Sequence, residues 1–321
     1  MSSGNSDTLT THYKMRFLLA TALLVGGLTS AIAGNRSGTV TAQFLKLPTN
    51  ARAVGMGSAQ VAIARGPSSL GVNPAGIVTI EDYGFTATYN SWFADIQHSF
   101  FGGCVNLGDW GLVGASVTML ATDDMAVTTT AFPEGTGELF RASDYCFALS
   151  YARRISQEFS IGLSAKYIRS YLYNTSIGAA TAAFDVGTLY ELPLLQSRLG
   201  MSLTNLGNDM TFIDEAYSLP TSLRFGVAVT LMKTEQQSIE MAAQIARPND
   251  ADEQYNVGVE YWFGNMVALR GGYKFSYDAE NVAAGMGLNL GAIGLRGSLD
   301  YGYNNFKWLP GTHSFSLDFE F

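Results

Sequence analysis

From Tyr83 to Phe321 the chain repeats one pattern, in which segments of roughly ten residues alternate apolar with polar or small side chains and turn residues separate them. A strand sends successive side chains to opposite faces, so a period of two marks strands with one apolar face. The pattern predicts fourteen strands, near 83–91, 96–107, 110–120, 144–155, 159–171, 177–190, 196–206, 220–232, 236–246, 253–263, 266–276, 281–290, 293–303 and 312–321. The abundance of Gly (35), Phe (19) and Tyr (16) beside only 8 Pro agrees with a strand composition. Only 14% of residues are charged, against about 25% in an average soluble domain.

The few charges are confined to one face. In 255–263 Tyr255, Val257, Val259, Tyr261 and Phe263 oppose Asn256, Gly258 and Glu260. In 267–275 Val267, Leu269, Gly271, Tyr273 and Phe275 oppose Arg270, Gly272 and Lys274. In 293–301 Ile293, Leu295, Leu299 and Tyr301 oppose Arg296, Ser298 and Asp300. In 223–231 the row Leu223, Phe225, Val227, Val229 and Leu231 opposes Arg224 and Thr230, and Lys166, Asp185, Arg198 and Glu240 also sit on polar faces. A soluble β-sandwich shares the alternation, with the apolar face inside. Here the polar faces carry both signs of charge beside small residues, and the other faces carry large aromatics. That suits lipid outside and a polar lumen inside, since a charge on the lipid face costs about 2–4 kcal/mol at mid-membrane.

The connections alternate as well. Those after even-numbered strands are tight, such as Gly108-Asp109, Lys233-Thr234-Glu235, Gly264-Asn265 and Gly291-Ala292. Several after odd-numbered strands are long, notably Ala121 to Ser143, Gly207 to Leu219 and Asn304 to Gly311. Outer-membrane barrels have this asymmetry, and an open sheet edge in hydrocarbon would leave backbone groups unpaired. The sequence therefore predicts an all-β fold, a transmembrane antiparallel β-barrel of about 14 strands over residues 81–321. The closing strand SFSLDFEF sets Phe315, Leu317, Phe319 and Phe321 towards lipid, opposite Asp318 and Glu320. A terminal aromatic after alternate apolar residues has the pattern of an outer-membrane insertion signal, read by strand addition.

Residues 1–33 read as a secretory signal: Lys14 and Arg16 precede an apolar run from Phe17 to Ala33 that ends in Ala31-Ile32-Ala33. Met15 is an alternative start. Between the signal and the barrel, residues 34–80 do not alternate cleanly, and a segment of this length is expected to fold back as a plug in the lumen of so large a barrel. Within it Asn73-Pro74-Ala75 suits a capped helix start. Gly55 and Gly57 suit close approach of backbone to the wall.

Here the sequence resembles a known family. FLKLPTNARAVGMGSAQVAIARGPSSLGVNPAGI, from Phe44 to Ile77, is similar to the N-terminal signature of the PorV/PorQ family, which lies within the wider FadL-like group of outer-membrane barrels. Ala51, Arg52, Ala53, Gly55, Met56, Gly57, Asn73, Pro74 and Ala75 carry the match. Arg65-Gly66 departs from it, since relatives often have acidic residues there. The resemblance implies a plugged fourteen-stranded barrel in the outer membrane of a Gram-negative bacterium and a role that is not enzymatic. Two roles follow: an accessory of type IX secretion or surface attachment, with secretion proteins and exported cargo as partners, or uptake of long-chain fatty acids or other hydrophobic molecules.

Arg52 has two readings, an ion pair with a lumen carboxylate such as Asp318, Glu320 or Asp300 that latches the plug, or a solvated side chain. Acidic loop residues, among them Asp123, Asp124, Asp250 and Glu253, either hold divalent cations or are simply solvated. Cys104 and Cys146 read as packing residues. No cofactor or metal site is expected. The three histidines, His12, His98 and His313, lack a third catalytic partner, and no Gly-x-Ser-x-Gly elbow exists. A net charge of −8 without a basic cluster excludes a nucleic-acid footprint. Asn174-Thr175-Ser176 matches a glycosylation pattern that has no use in a bacterial outer membrane.

Overall fold

The computed structural model describes residues 38–173 and 177–321. The predicted signal and the Asn174-Thr175-Ser176 pattern lie outside the described residues. Fourteen antiparallel strands form a closed barrel. They are β1 (Tyr83–Ser91), β2 (Gln97–Asn106), β3 (Leu112–Ala121), β4 (Ser143–Arg154), β5 (Phe159–Tyr173), β6 (Ile177–Leu192), β7 (Ser197–Gly207), β8 (Ser222–Lys233), β9 (Gln237–Pro248), β10 (Gln254–Phe263), β11 (Val267–Phe275), β12 (Glu280–Asn289), β13 (Gly297–Phe306) and β14 (Thr312–Glu320). Each pairs with its neighbours in the chain, and β1 pairs with β14, Gly84 opposite Glu320 and Ser91 opposite His313. The ring leaves no edge, which backbone in hydrocarbon requires.

The seam extends past the last strand. The Phe321 N–H donates to the Tyr83 carbonyl (2.8 Å) and the Phe321 carbonyl accepts from Asp82 N–H (2.9 Å). The two rings stack with centroids 4.8 Å apart.

Solvation is inverted relative to a soluble protein. Outward positions are apolar and exposed, as at Phe147, Leu163, Phe225, Leu269, Phe315 and Leu149, the last 71% exposed. Inward positions are polar and buried, as at Asn256, Glu260, Arg270, Lys274, Asp300 and Ser316. A wetted exterior of this kind would forfeit roughly 25 cal/mol per Å2 of apolar surface, so the outer face belongs in lipid. No helix among the described residues is long and apolar enough to cross a membrane, which leaves crossing by strands untouched.

One strand differs from its prediction. The segment expected at 293–303 begins only at Gly297, and Leu290–Ile293 forms a 3-10 turn. The Asn289 side chain accepts from the Gly291 N–H, and Gly294 takes φ 81°, so the chain curls before re-entering the sheet. Arg296, expected in the lumen, therefore stands at the barrel rim, exposed, with Nη2 2.6 Å from Glu81 Oε2. The long connections fold on themselves: Met125–Ala126 pairs with Leu139–Phe140, and Met210–Phe212 pairs with Glu215–Tyr217.

Residues 38–80 run as short pieces: a 3-10 turn Gln43–Lys46, helix α1 (Ala51–Gly55), and 3-10 helices Pro67–Gly71 and Pro74–Thr79. α1 packs on β11 to β14, Pro67–Gly71 on β1, β2, β3 and β14, and Pro74–Thr79 on β3 to β6. A segment that touches strands around a closed ring, on the faces opposite the exposed apolar rows, lies inside it. Its side chains are mostly buried, including Ala51, Val54, Met56, Val61, Leu70, Ala75 and Ile77.

Candidate functional site

The inner segment is held largely through its backbone. Asn50 caps α1, its Oδ1 accepting the Ala53 N–H at 2.6 Å, which fixes the start of a five-residue helix. The Ala51 N–H donates to Ser316 Oγ on β14 (2.7 Å), the Val61 N–H to Gln244 Oε1 on β9 (2.9 Å), and Asn256 Nδ2 on β10 to the Gly57 carbonyl (2.7 Å). Asn73 works twice. Its Oδ1 accepts the Ala75 N–H (3.2 Å), and its Nδ2 donates to the carbonyls of Val61 (3.1 Å) and Thr188 (3.0 Å), joining two parts of the segment to β6. Pro74 follows at the first helical position, where no N–H is needed.

The wall opposite is made of glycine. Gly258 and Gly272 pair across β10 and β11, and a Cβ on either would enter the Met56–Gly57 backbone. A Cβ on Gly285 would come within 2.9 Å of the Gly55 Cα, and one on Gly302 within 2.6 Å of the Ala51 carbonyl oxygen. On the segment side, Gly57 takes φ 60°, and a Cβ there would lie 2.8 Å from the Tyr273 nitrogen. The inner segment and the wall therefore meet backbone to backbone, and the wall glycines are residues that sequence reading missed. Their signal was present as glycine recurring on polar faces of successive strands.

Between these seats lies a charge network. Arg52 clasps Glu260 with two donors, Nε to Oε2 and Nη2 to Oε1, both at 2.8 Å, and Nη2 also reaches Glu240 Oε2 at 3.0 Å. Its Nη1 donates to the Ile63 carbonyl at 3.1 Å. Arg270 joins Glu260 Oε2 to Asp300 Oδ1, each at 2.6 Å. Arg198 Nη2 donates to Glu240 Oε1 at 2.6 Å, and Arg65 Nη2 lies 3.7 Å from Glu260. Four guanidiniums thus share three carboxylates. Such charges persist in a low-dielectric interior only when paired and hydrogen-bonded.

The partners of Arg52 differ from those expected. They are Glu260 and Glu240, whereas Asp318 and Glu320 make no ion pair with it and line a cavity of about 310 Å3 at the turn-bearing end, which Arg52, Arg65, Arg270, Arg296 and Asp300 also border. Asp300 is bound by Arg270 instead. Away from the network, Lys166 Nζ pairs with Asp185 at 2.5 Å and donates to Asn205 Oδ1 at 2.9 Å. Lys274 pairs with Glu280 at the other end of the lumen. Asp250, expected in a solvated loop, is buried and accepts from Lys46 Nζ and Gln43 Nε2 at 3.0 Å, tying the inner segment to a loop. Among the described residues, no group of three or more His, Cys, Asp or Glu is placed to hold a metal ion.

At the loop-bearing end a second cavity of about 600 Å3 is lined by Lys46, Leu47, Pro48, Gln60, Arg224, Gln244, Lys274, Tyr277 and Phe306, among others. Arg224 is the one predicted lumen cation that makes no ion pair or hydrogen bond among the described residues; on the acidic side Asp318 and Glu320 likewise have no ion pair. Burial pushes the Tyr277 phenol, on the loop after β11, up to about 12 despite its hydrogen bond with Asn256, so it stays neutral and gives Arg224 no counter-charge.

The model of the family described as type IX secretion system protein PorV matches residues 30–248. The chain belongs to the PorV family. That span takes in the whole inner segment and β1 to β9. No curated protein matches this PorV-family chain. Among solved structures, the Ralstonia pickettii toluene transporter TbuX is similar at a TM-score of 0.59 and 12% identity, over 86% of this chain and 99% of that one. The Pseudomonas putida toluene transporter TodX gives 0.57 at 12% identity, over 85% and 97%. A Pseudomonas aeruginosa FadL homologue gives 0.53 at 10% identity, over 85% and 98%. At such identities the likeness shows a shared FadL-like barrel fold, and with the family it makes this an outer-membrane barrel.

Proposed function

We propose that this protein is a non-enzymatic accessory of type IX secretion that receives or holds exported proteins at the outer membrane, with residues 34–80 as its plug. The observation that carries the reading is the way the lumen is filled, by backbone seated on glycine and locked by paired charges, within a family whose name is that of a secretion protein. A passage for hydrocarbon needs an apolar lining, and Arg52, Arg270, Glu240 and Glu260 stand at its centre. The likeness to toluene transporters favours the alternative, uptake of hydrophobic molecules. In the secretion reading the partners are secretion proteins and exported cargo, the turn-bearing end faces the periplasm, residues 1–33 are removed on export, and Phe315, Leu317, Phe319 and Phe321 form the strand edge read at insertion.

Deletion of the gene tests this. Secretion predicts exported cargo retained in the periplasm and recovered in crosslinks to the loops. Normal export together with lost growth on a hydrophobic carbon source would overturn it in favour of uptake.

A further inference from the structure

The loop-end cavity holds a cation that makes no ion pair among the described residues. Its other two cations are satisfied, Lys46 by Asp250 and Lys274 by Glu280. Arg224 projects from β8 into the same space and makes no ion pair or hydrogen bond among the described residues, although the exposed Asp278 also lines the cavity. Near it stands Gln60, only 8% exposed, whose side-chain amide makes no hydrogen bond among the described residues, Oε1 being buried and unpartnered. The two are neighbours by register. The Gln60 N–H donates to Gln244 Oε1 (3.2 Å), and Gln244 pairs with Gly226, two residues along β8 from Arg224.

Buried polar groups in native proteins are nearly always partnered, and an orphan asks for an explanation. An unpaired guanidinium offers a planar fork of donors that matches a carboxylate. The amide adds a donor and an acceptor, and the acceptor calls for an N–H or O–H on the ligand. Above this polar floor, Leu47, Pro48 and Phe306 provide apolar wall. The volume, about 600 Å3, lies within the range of small-molecule sites.

We propose that this cavity binds a carboxylate bearing an adjacent hydrogen-bond donor and an apolar side group, the chemistry of an N-acyl amino acid or of the last residue of a peptide. Arg224 takes the carboxylate, the Gln60 Oε1 accepts from the neighbouring N–H, and the apolar group rests on Leu47 and Phe306. A neutral hydrocarbon would leave both polar groups unsatisfied. The site goes beyond the secretion reading and is judged on the purified protein, whereas that reading is judged by export in cells.

The experiment is a calorimetric titration of the full-length protein in detergent micelles with N-acetylphenylalanine, its primary amide, 3-phenylpropionate, and a pentapeptide ending in phenylalanine. The acid is expected to bind at least about tenfold more tightly than its amide, since charge-assisted hydrogen bonds are the strong ones, and more tightly than 3-phenylpropionate, which lacks the donor. Arg224→Gln is expected to abolish the preference for acid over amide, and Gln60→Ala to remove that over 3-phenylpropionate. Heat-modified gel mobility establishes that each variant is folded. Tighter binding of the pentapeptide assigns the site to a peptide terminus, and tighter binding of the acetylated residue assigns it to a free small acid. Equal binding of acid and amide, an Arg224→Gln variant that binds as the parent does, or no binding of any probe overturns the proposal.

Discussion

Replacing Glu260 by Gln keeps the shape of the network and removes its most shared charge. Glu260 is 1% exposed and receives Arg52 through two hydrogen bonds and Arg270 through one. Removing one partner of a buried ion pair costs about 3–5 kcal/mol, because the other charge is left uncompensated. Neither arginine is wholly orphaned here, since Arg52 keeps Glu240 at 3.0 Å and Arg270 keeps Asp300 at 2.6 Å. The loss is therefore expected near the low end, about 3 kcal/mol. With a urea slope of about 3 kcal/mol/M for a large domain, this lowers the unfolding midpoint by about 1 M. The assay is reversible unfolding in lipid vesicles followed by tryptophan emission, to which Trp262 contributes with its ring centroid 5.8 Å from the Arg270 guanidinium carbon. A double variant, Glu260→Gln with Arg270→Met, should lose less than the sum of the two single changes, because it removes a stranded cation as well as its partner. A single-variant loss under about 0.5 kcal/mol, the size of an ordinary surface substitution, or strictly additive losses, would refute the idea that these charges hold the interior together.

Other expectations follow from the same contacts. Gly272→Val puts a branched side chain into the Met56–Gly57 backbone and should abolish the folded, heat-modifiable band on gels, whereas Gly271→Val, where an added Cβ meets nothing within 4 Å, should retain it. Arg52→Ala unfastens α1 from β10 and should raise single-channel conductance in planar bilayers; unchanged conductance would argue against a latch. Arg296→Ala removes an exposed rim pair with Glu81 and should leave the unfolding midpoint where it was. Phe321→Ser removes the ring stacked on Tyr83 at the seam and should slow insertion into lipid vesicles, read as the rate at which the folded band appears.

The barrel was legible because alternation reads the backbone period itself, and because charge on one face and aromatics on the other name the two solvents. Strand starts were less legible. β13 was expected from Ile293, and the signal that moved it to Gly297 is local, an Asn289 side chain capping Gly291 before a left-handed Gly294. That Arg52 carries a charge inside the barrel could be read from the sequence, but its partners could not. Glu260 and Asp318 both sit on polar faces, and only the placement of α1 inside the closed ring decides which carboxylate a long side chain reaches. Asp250 looked like one more acidic loop residue because its partners, Lys46 and Gln43, lie about two hundred positions earlier in the chain. The glycine wall escaped notice for a different reason: glycine on a polar strand face reads as small filler until a second backbone is seen lying against it.

The account turns on which face of each strand meets lipid, and spin labels report that directly. Single cysteines at Leu149, Leu163, Phe225 and Leu269 would be labelled and the protein reconstituted in vesicles, with collision rates measured against oxygen and against a water-soluble nickel chelate. Labels on these outward positions should collide freely with oxygen and scarcely with the chelate. Labels that met the chelate more readily than oxygen would put water where hydrocarbon is required, and the inward placement of Glu260 and Arg270 would fall with it.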